Sequence, residues 1–315
     1  MRSMLRWKIL FLLFFPFSGV LGHSAIRQSF ARGGAASRWA PNTRPLQKQG
    51  QSKQEEKYPR VEDLDSENNQ KETKEMIESF LTRDSRNTFI ARVYAILSIQ
   101  LIVTGLSITF FGLNPSIGAW MRQQGIFVPW LSLGLSTIAW FFVCGSVKAR
   151  RLSPIKWQLL TLFTLGESIT VGFISSLYKF SVVLSAMAAT AAAASAVSIY
   201  TITNRNSKYD LSQWGAGLSS AGMIFLIYAL IHLLEVYGVL PSGFLPYREA
   251  WFSLAGAVLF SFYLAYHTKL IVAGKHSKYQ MNEKDYVFGA MSLYNDIINM
   301  FIYILRLLGD DSDRK

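Results

Sequence analysis

Seven apolar stretches fill the last two-thirds of this chain, at about 89–111, 130–147, 158–178, 180–201, 215–237, 251–272 and 288–308. At 1.5 Å of rise per residue, helices of ~18–23 residues cover the ~30 Å hydrocarbon core of a bilayer. A buried soluble core is the alternative for any single stretch. It fails for the set, because no amphipathic helices remain to cover such a core. A barrel of strands fails as well, since the stretches are continuous rather than alternating. Half of the residues are apolar and only 17% are charged, well below the quarter or so typical of soluble domains. The chain reads as an all-α, polytopic membrane protein: a seven-transmembrane-helix bundle over residues 87–309 with a short tail at 310–315.

The net charge of +12 lies in the N-terminal arm and in the turns between apolar stretches, where membrane topology places it. No basic helix or aromatic platform stands outside the stretches, so nucleic acid is not an expected partner. The lipid bilayer is. The single cysteine, Cys144, excludes an intramolecular disulfide and a thiolate zinc site, and reads as a small buried hydrophobe. No His-Glu-x-x-His, phosphate-binding loop or nucleophile elbow occurs, so no enzyme and no cofactor is expected.

Loop charge sets orientation. Connections on the side of residue 88 hold Lys148, Arg150, Arg151 and Lys156, then Arg205 and Lys208, then Lys275, Lys278 and Lys284, with Lys269 at the edge. The opposite loops hold Arg122, Lys179 and Arg248. The first side is therefore expected to be cytosolic, or matrix or stromal in an organelle. Residues 1–22 run from basic to apolar to small, like a signal peptide, and no acid precedes Glu55. A cleaved secretory signal would invert every span, so residues 1–22 are an import presequence or an uncleaved anchor, or one stretch does not cross. Residues 23–86 form a basic and then polar arm, its latter part (55–86) read as a disordered linker or a fraying helix. The alanine-rich fourth stretch, with Ala186, Ala188, Ala189 and Ala191 to Ala194, is expected at the centre of the bundle because small side chains let backbones approach.

The chain carries ionisable groups inside its apolar stretches, each costing at least ~2.5 kcal/mol on insertion, so they should face protein or water. Asp296 lies near the middle of the seventh, with Asn299 and Tyr303 on the same face. Glu167 lies mid-way along the third. These acids are candidates for an ion pathway, because hard cations prefer carboxylate and amide oxygens. Each has a plainer reading as a neutralised, hydrogen-bonded structural acid. His232 and Glu235 read as interfacial, Asp210 as a helix cap. Arg150 and Arg151 read as topology determinants, and Arg306 as a side chain snorkelling to the far interface.

One set of motifs is more specific. Gly274-Lys-His-Ser-Lys-Tyr-Gln-Met-Asn-Glu-Lys-Asp-Tyr-Val-Phe-Gly-Ala followed by Leu293-Tyr-Asn-Asp-Ile-Ile-Asn-Met-Phe-Ile-Tyr-Ile-Leu-Arg-Leu-Leu-Gly309 resembles the C-terminal signature of the Bax inhibitor-1/Lifeguard family. Phe89-Ile-Ala-Arg-Val-Tyr-Ala-Ile-Leu-Ser-Ile-Gln-Leu-Ile-Val-Thr resembles the start of its first span. Phe163-Thr-Leu-Gly-Glu-Ser-Ile-Thr-Val-Gly resembles its third span, and Ser207-Lys-Tyr-Asp-Leu its turn after the fourth. The resemblance covers residues ~87–309 in order and leaves 1–86 uncovered. It implies seven helices with the last near the centre, a pH-sensitive calcium leak across intracellular membranes, and restraint of cell death. It also implies two acids, on helices six and seven, that share a proton and gate the pore. The helix-seven acid corresponds to Asp296, a possible calcium ligand. At the helix-six position this chain reads Tyr266-His267-Thr268-Lys269, so His267 replaces the paired carboxylate.

A His beside Asp296 would favour an imidazolium–carboxylate pair and hold down calcium affinity, with His267 titrating near neutral pH. Alternatively His267 sits solvated at the membrane surface beside Lys269. The leading expectation is a calcium-leak channel or calcium/proton exchanger using Asp296, His267, Glu167 and Asn299, in an endomembrane (ER or Golgi) or else a mitochondrial or plastid membrane. The alternative is a non-conducting regulator acting through cell-death regulatory proteins. A seven-helix receptor is disfavoured by the short interhelical turns.

Overall fold

The computed structural model describes residues 61–125, 127–203, 214–236, 239–240, 249–272 and 281–309, with side chains from Asp84 onward. Residues 1–60, the basic loop positions Arg205, Lys208, Lys275 and Lys278, Asp210, the side chain of His232 and the tail 310–315 lie outside the described residues. Among the described residues no strand occurs. Nine helices follow one another there: α1 (Val61–Leu113), α2 (Pro115–Gln123), α3 (Phe127–Gly145), α4 (Val147–Arg151), α5 (Ile155–Ser175), α6 (Phe180–Thr203), α7 (Gly215–Val236), α8 (Glu249–Val272) and α9 (Tyr286–Leu308).

Six of them are long and apolar enough to cross a membrane: Asp84–Leu113 within α1, then α3, α5, α6, Ala250–Val272 within α8, and Glu283–Leu308, which is α9 with its preceding turn. The fifth expected stretch is α7, whose apolar part, Gly215–Ile231, is shorter. The chain is a polytopic helical membrane protein. α1 begins at Val61, inside the segment expected to be a linker or fraying helix. Residues 61–83 contain neither glycine nor proline and are rich in Glu, so propensity permits the helix to continue beyond the span.

α9 occupies the centre. It packs against α8, α1, α6 and α5, and 89% of its apolar window is buried. Two glycines allow close approaches, one against this helix and one between α5 and α3. A methyl at Gly256 of α8 would lie 2.6 Å from the Tyr303 ring of α9, and one at Gly166 of α5 would lie 2.6 Å from the Ser132 carbonyl of α3.

The alanine-rich helix α6 is not central. Only 22% of its window is buried, the smallest share among the six. Short side chains permit close packing but contribute little area to hold it, while the bulky Tyr, Phe, Met and Leu side chains of α9 fill the space inside. α6 therefore meets α9 and α8 along one edge and leaves the rest of its surface outward. Arg306 also departs from expectation. It is buried in the last turn of α9, with 6% of its surface exposed, rather than extended to an interface. Cys144 is buried, as its surroundings suggested.

Candidate functional site

Asp296 is fully buried on the central helix, and its only ion-pair partner among the described residues is His267 of α8. The two meet directly, Nδ1 of the imidazole lying 2.5 Å from Oδ2 of the carboxylate. His267 is itself buried, between the rings of Tyr263 and Tyr266. The reading of a solvated surface histidine is thereby removed. α8 places His267 in the bundle because its apolar face continues past it through Leu270, Ile271 and Val272, all buried. Hydrogen bonding leaves Nε2 of His267 and Oδ1 of Asp296 without a partner among the described residues.

Glu167 belongs to a different polar cluster. It is buried in α5 against the Ser136 hydroxyl of α3, with one carboxylate oxygen unpartnered. Close by, the Thr104 hydroxyl of α1 meets the Ser168 hydroxyl at 2.9 Å and the Tyr294 hydroxyl at 2.7 Å. Gln100 donates to Thr164 at 3.0 Å, and Ser132 meets Thr170 at 2.9 Å. Tyr294 and Asp296 are two positions apart on α9, about 200° around a helix, so the two clusters address opposite faces of the same helix. Asn299 is buried and its amide donates to the Asn295 carbonyl of its own helix at 2.7 Å. Tyr303 packs among Phe225, Phe252 and Phe260. Among the described residues, no three His, Cys, Asp or Glu side chains converge as a metal site. A resident calcium takes six to eight oxygen ligands, and Asp296 with His267 is too few for one.

At the end of the bundle where α9 begins, Asp285 is fully buried and faces two arginines. Arg151 binds it through Nε at 2.6 Å and through a terminal nitrogen at 2.9 Å. Arg150, also fully buried, lies 3.8 Å from the same carboxylate and sits over the Phe288 ring. The hydrogen bonds to Asp285 raise Arg151 above its ordinary value. Arg86 of α1 donates to the carbonyls of Met281 and Leu270 at 2.7 and 2.8 Å. This fastens the middle of α1, where its apolar span starts, to the end of α8 and the segment that leads into α9.

A family model described as "Inhibitor of apoptosis-promoting Bax1" matches residues 86–313. The chain belongs to the Bax inhibitor/Lifeguard family. It is 29% identical over 228 residues to "Protein lifeguard 3" of Homo sapiens, covering 72% of this chain and 70% of that protein. It is 28% identical to "Protein lifeguard 3" of Mus musculus over 72% of this chain and 70% of that protein. To "Protein lifeguard 4" of Mus musculus it is also 28% identical, over 71% of this chain and 85% of that protein. The matched region begins at Arg86, where α1 is fastened to the rest of the Lifeguard-type bundle.

Sequence reasoning identified Asp296 and His267, which meet. It also named Glu167, which stands apart from them. It missed the role of Arg150 and Arg151, which were read as topology determinants but form an ion-pair cluster with Asp285. The signal was present in part: Asp285 is an acid within an otherwise basic turn, at the N-terminal end of a helix where a negative charge is favoured.

Proposed function

We propose that this Lifeguard-family protein is a calcium leak channel or calcium/proton exchanger of an intracellular membrane, gated by the His267–Asp296 pair. The observation that carries the reading is an acid on the most buried helix held 2.5 Å from a buried base on α8. Charge bookkeeping gives the mechanism. With one proton between them the pair is neutral, as imidazolium and carboxylate. When that proton leaves, the pair is a neutral imidazole beside a carboxylate, with a net charge of −1 available to a cation. Calcium binding at Asp296 is thus coupled to release of one proton, as metal ligation generally is.

Support comes from the unpartnered atoms. Oδ1 of Asp296 and Nε2 of His267 are buried with no protein hydrogen bond among the described residues. Buried polar groups are normally satisfied by protein or by water. A pair that keeps one free atom on each partner suits hydration or a passing ion. Replacement of the family's second acid by His267 makes the closed state an ion pair rather than a proton shared by two carboxylates. The membrane role in restraining cell death follows as the family's expected physiology, and the ER or Golgi as its expected location.

The test is calcium uptake into vesicles containing the purified full chain, compared with Asp296→Asn and His267→Asp. Parent flux should be lost in Asp296→Asn and should change its pH profile in His267→Asp. Flux absent at every pH in the parent and in His267→Asp would sink conduction and favour a regulator acting through partner proteins.

A further inference from the structure

At the same end of the bundle as Asp285, a cavity of about 410 Å³ opens between the middle of α1, the turn from α4 into α5 and the turn leading into α9. Its walls carry Arg92, Arg151, Lys156 and Lys284, together with the hydroxyls of Ser85 and Thr88. One acid in the wall faces these four cations, Glu283, and it accepts a hydrogen bond from Ser85. Asp285 lies behind the wall, fully buried and engaged by Arg150 and Arg151. Among the described residues no carboxylate comes within 4.0 Å of Arg92, Lys156 or Lys284. Tyr286 organises two of them, its hydroxyl 2.7 Å from Nζ of Lys156 and its ring 5.7 Å from the Arg92 guanidinium.

We infer that this cavity is a binding site for a phosphate-bearing anion, with the phosphorylated headgroup of a membrane lipid and a soluble phosphate as its two sources. Cations drawn from three separate helices repel one another unless an anion lies among them. The mixture suits phosphate: an arginine fork, lysine point charges and hydroxyl donors all address tetrahedral acceptor oxygens. The volume is within the range of small-ligand sites. The position also fits, since Arg151, Lys156 and Lys284 come from the basic loops that mark the cytosolic or matrix side, where anionic headgroups attract basic residues. Binding here does not depend on whether the bundle conducts, because it is read without flux.

The experiment titrates the full-length protein, held in phosphatidylcholine nanodiscs, with a short-chain phosphatidylinositol monophosphate and separately with inorganic phosphate. At roughly a fivefold contribution per basic residue, Arg92→Gln with Lys156→Gln should weaken binding about thirtyfold. Glu283→Gln, which removes the opposing acid, should tighten binding roughly fivefold, a gain that a misfolded protein cannot give. Lys148→Gln, outside the cavity, should match the parent. Binding of the lipid alone assigns the site to a headgroup, and competition by inorganic phosphate assigns it to the soluble source. Equal affinity of the parent and the double variant for both probes, or no binding by the parent, overturns the inference.

Discussion

Asp285→Asn is the substitution with the sharpest expected effect on stability. The carboxylate is fully buried and two guanidiniums converge on it. For Arg150 at 3.8 Å, Coulomb's law at an effective dielectric of 20 gives an attraction of about 4 kcal/mol. Desolvation of both groups offsets much of that in the intact protein, so the pair adds little net stability. Removing one member is different. The desolvation cost of Arg150 remains while its attraction to the carboxylate is lost, and such disruptions cost about 3–5 kcal/mol. Arg151 is about one-third exposed, so solvent screens it and Arg151→Gln should cost only ~1 kcal/mol. In a bundle of this size the Asp285→Asn loss corresponds to a fall of roughly 10 °C in melting temperature. The assay is thermal unfolding of the purified protein in detergent, run as a double-mutant cycle with Arg151→Gln. The double variant should lose less than the sum of the two single changes. A melting temperature for Asp285→Asn within a degree of the parent, or strictly additive changes, would refute the reasoning.

Four further outcomes are expected. Gly166→Ala places a methyl 2.6 Å from the Ser132 carbonyl and 2.9 Å from the Ser136 side chain, so it should destabilise by ~1–3 kcal/mol in the same melt. Gly134→Ala, which meets nothing within 4 Å, should be neutral or stabilising by up to ~1 kcal/mol. Thr104→Val removes hydroxyl contacts to Gln100, Ser168 and Tyr294 and should cost ~1–3 kcal/mol in chemical denaturation, with a smaller loss if Tyr294→Phe is already present. Calcium uptake by the parent should rise with pH, because the pair becomes anionic as its proton leaves. A flat profile in the parent, or one unchanged in Asp296→Asn, contradicts that coupling.

Helical character and helix positions were legible in the sequence because a bilayer demands long apolar runs whatever their partners. The predicted stretch 180–201 and helix Phe180–Thr203 differ by two residues. Which helix sits inside was legible through the family resemblance, which implied the last one, and not from small-residue content. The alanines of α6 were read as a closely packed core, yet burial depends on what the neighbours offer, and α9 offers more area. The Asp296–His267 contact was legible only because a family resemblance aligned helix six with helix seven. Nothing in the chain between the two residues, 29 positions apart, encodes the pairing locally. The Arg151–Asp285 contact bridges 134 positions between two short turns, and hydropathy carries no information about such a pair. Glu167 shows the opposite case: its type and depth were readable, but the face it addresses depends on the rotation of α5 against α3.

The helix at the axis is also the last one in the chain's described order, and that has a consequence for assembly. α1, α5, α6 and α8 leave the translation machinery before the element that they eventually surround. Until α9 arrives they enclose no partner, and the imidazole of His267 has no carboxylate opposite it. Helices that have already inserted as independent spans must therefore hold a loose ring and tighten around the newcomer, the second stage of membrane protein folding compressed into a single docking event. Insertion of α9, rather than of the early spans, is then the moment at which this bundle acquires its interior. A stop codon or bulky fusion before Leu308 would leave a ring without its axle.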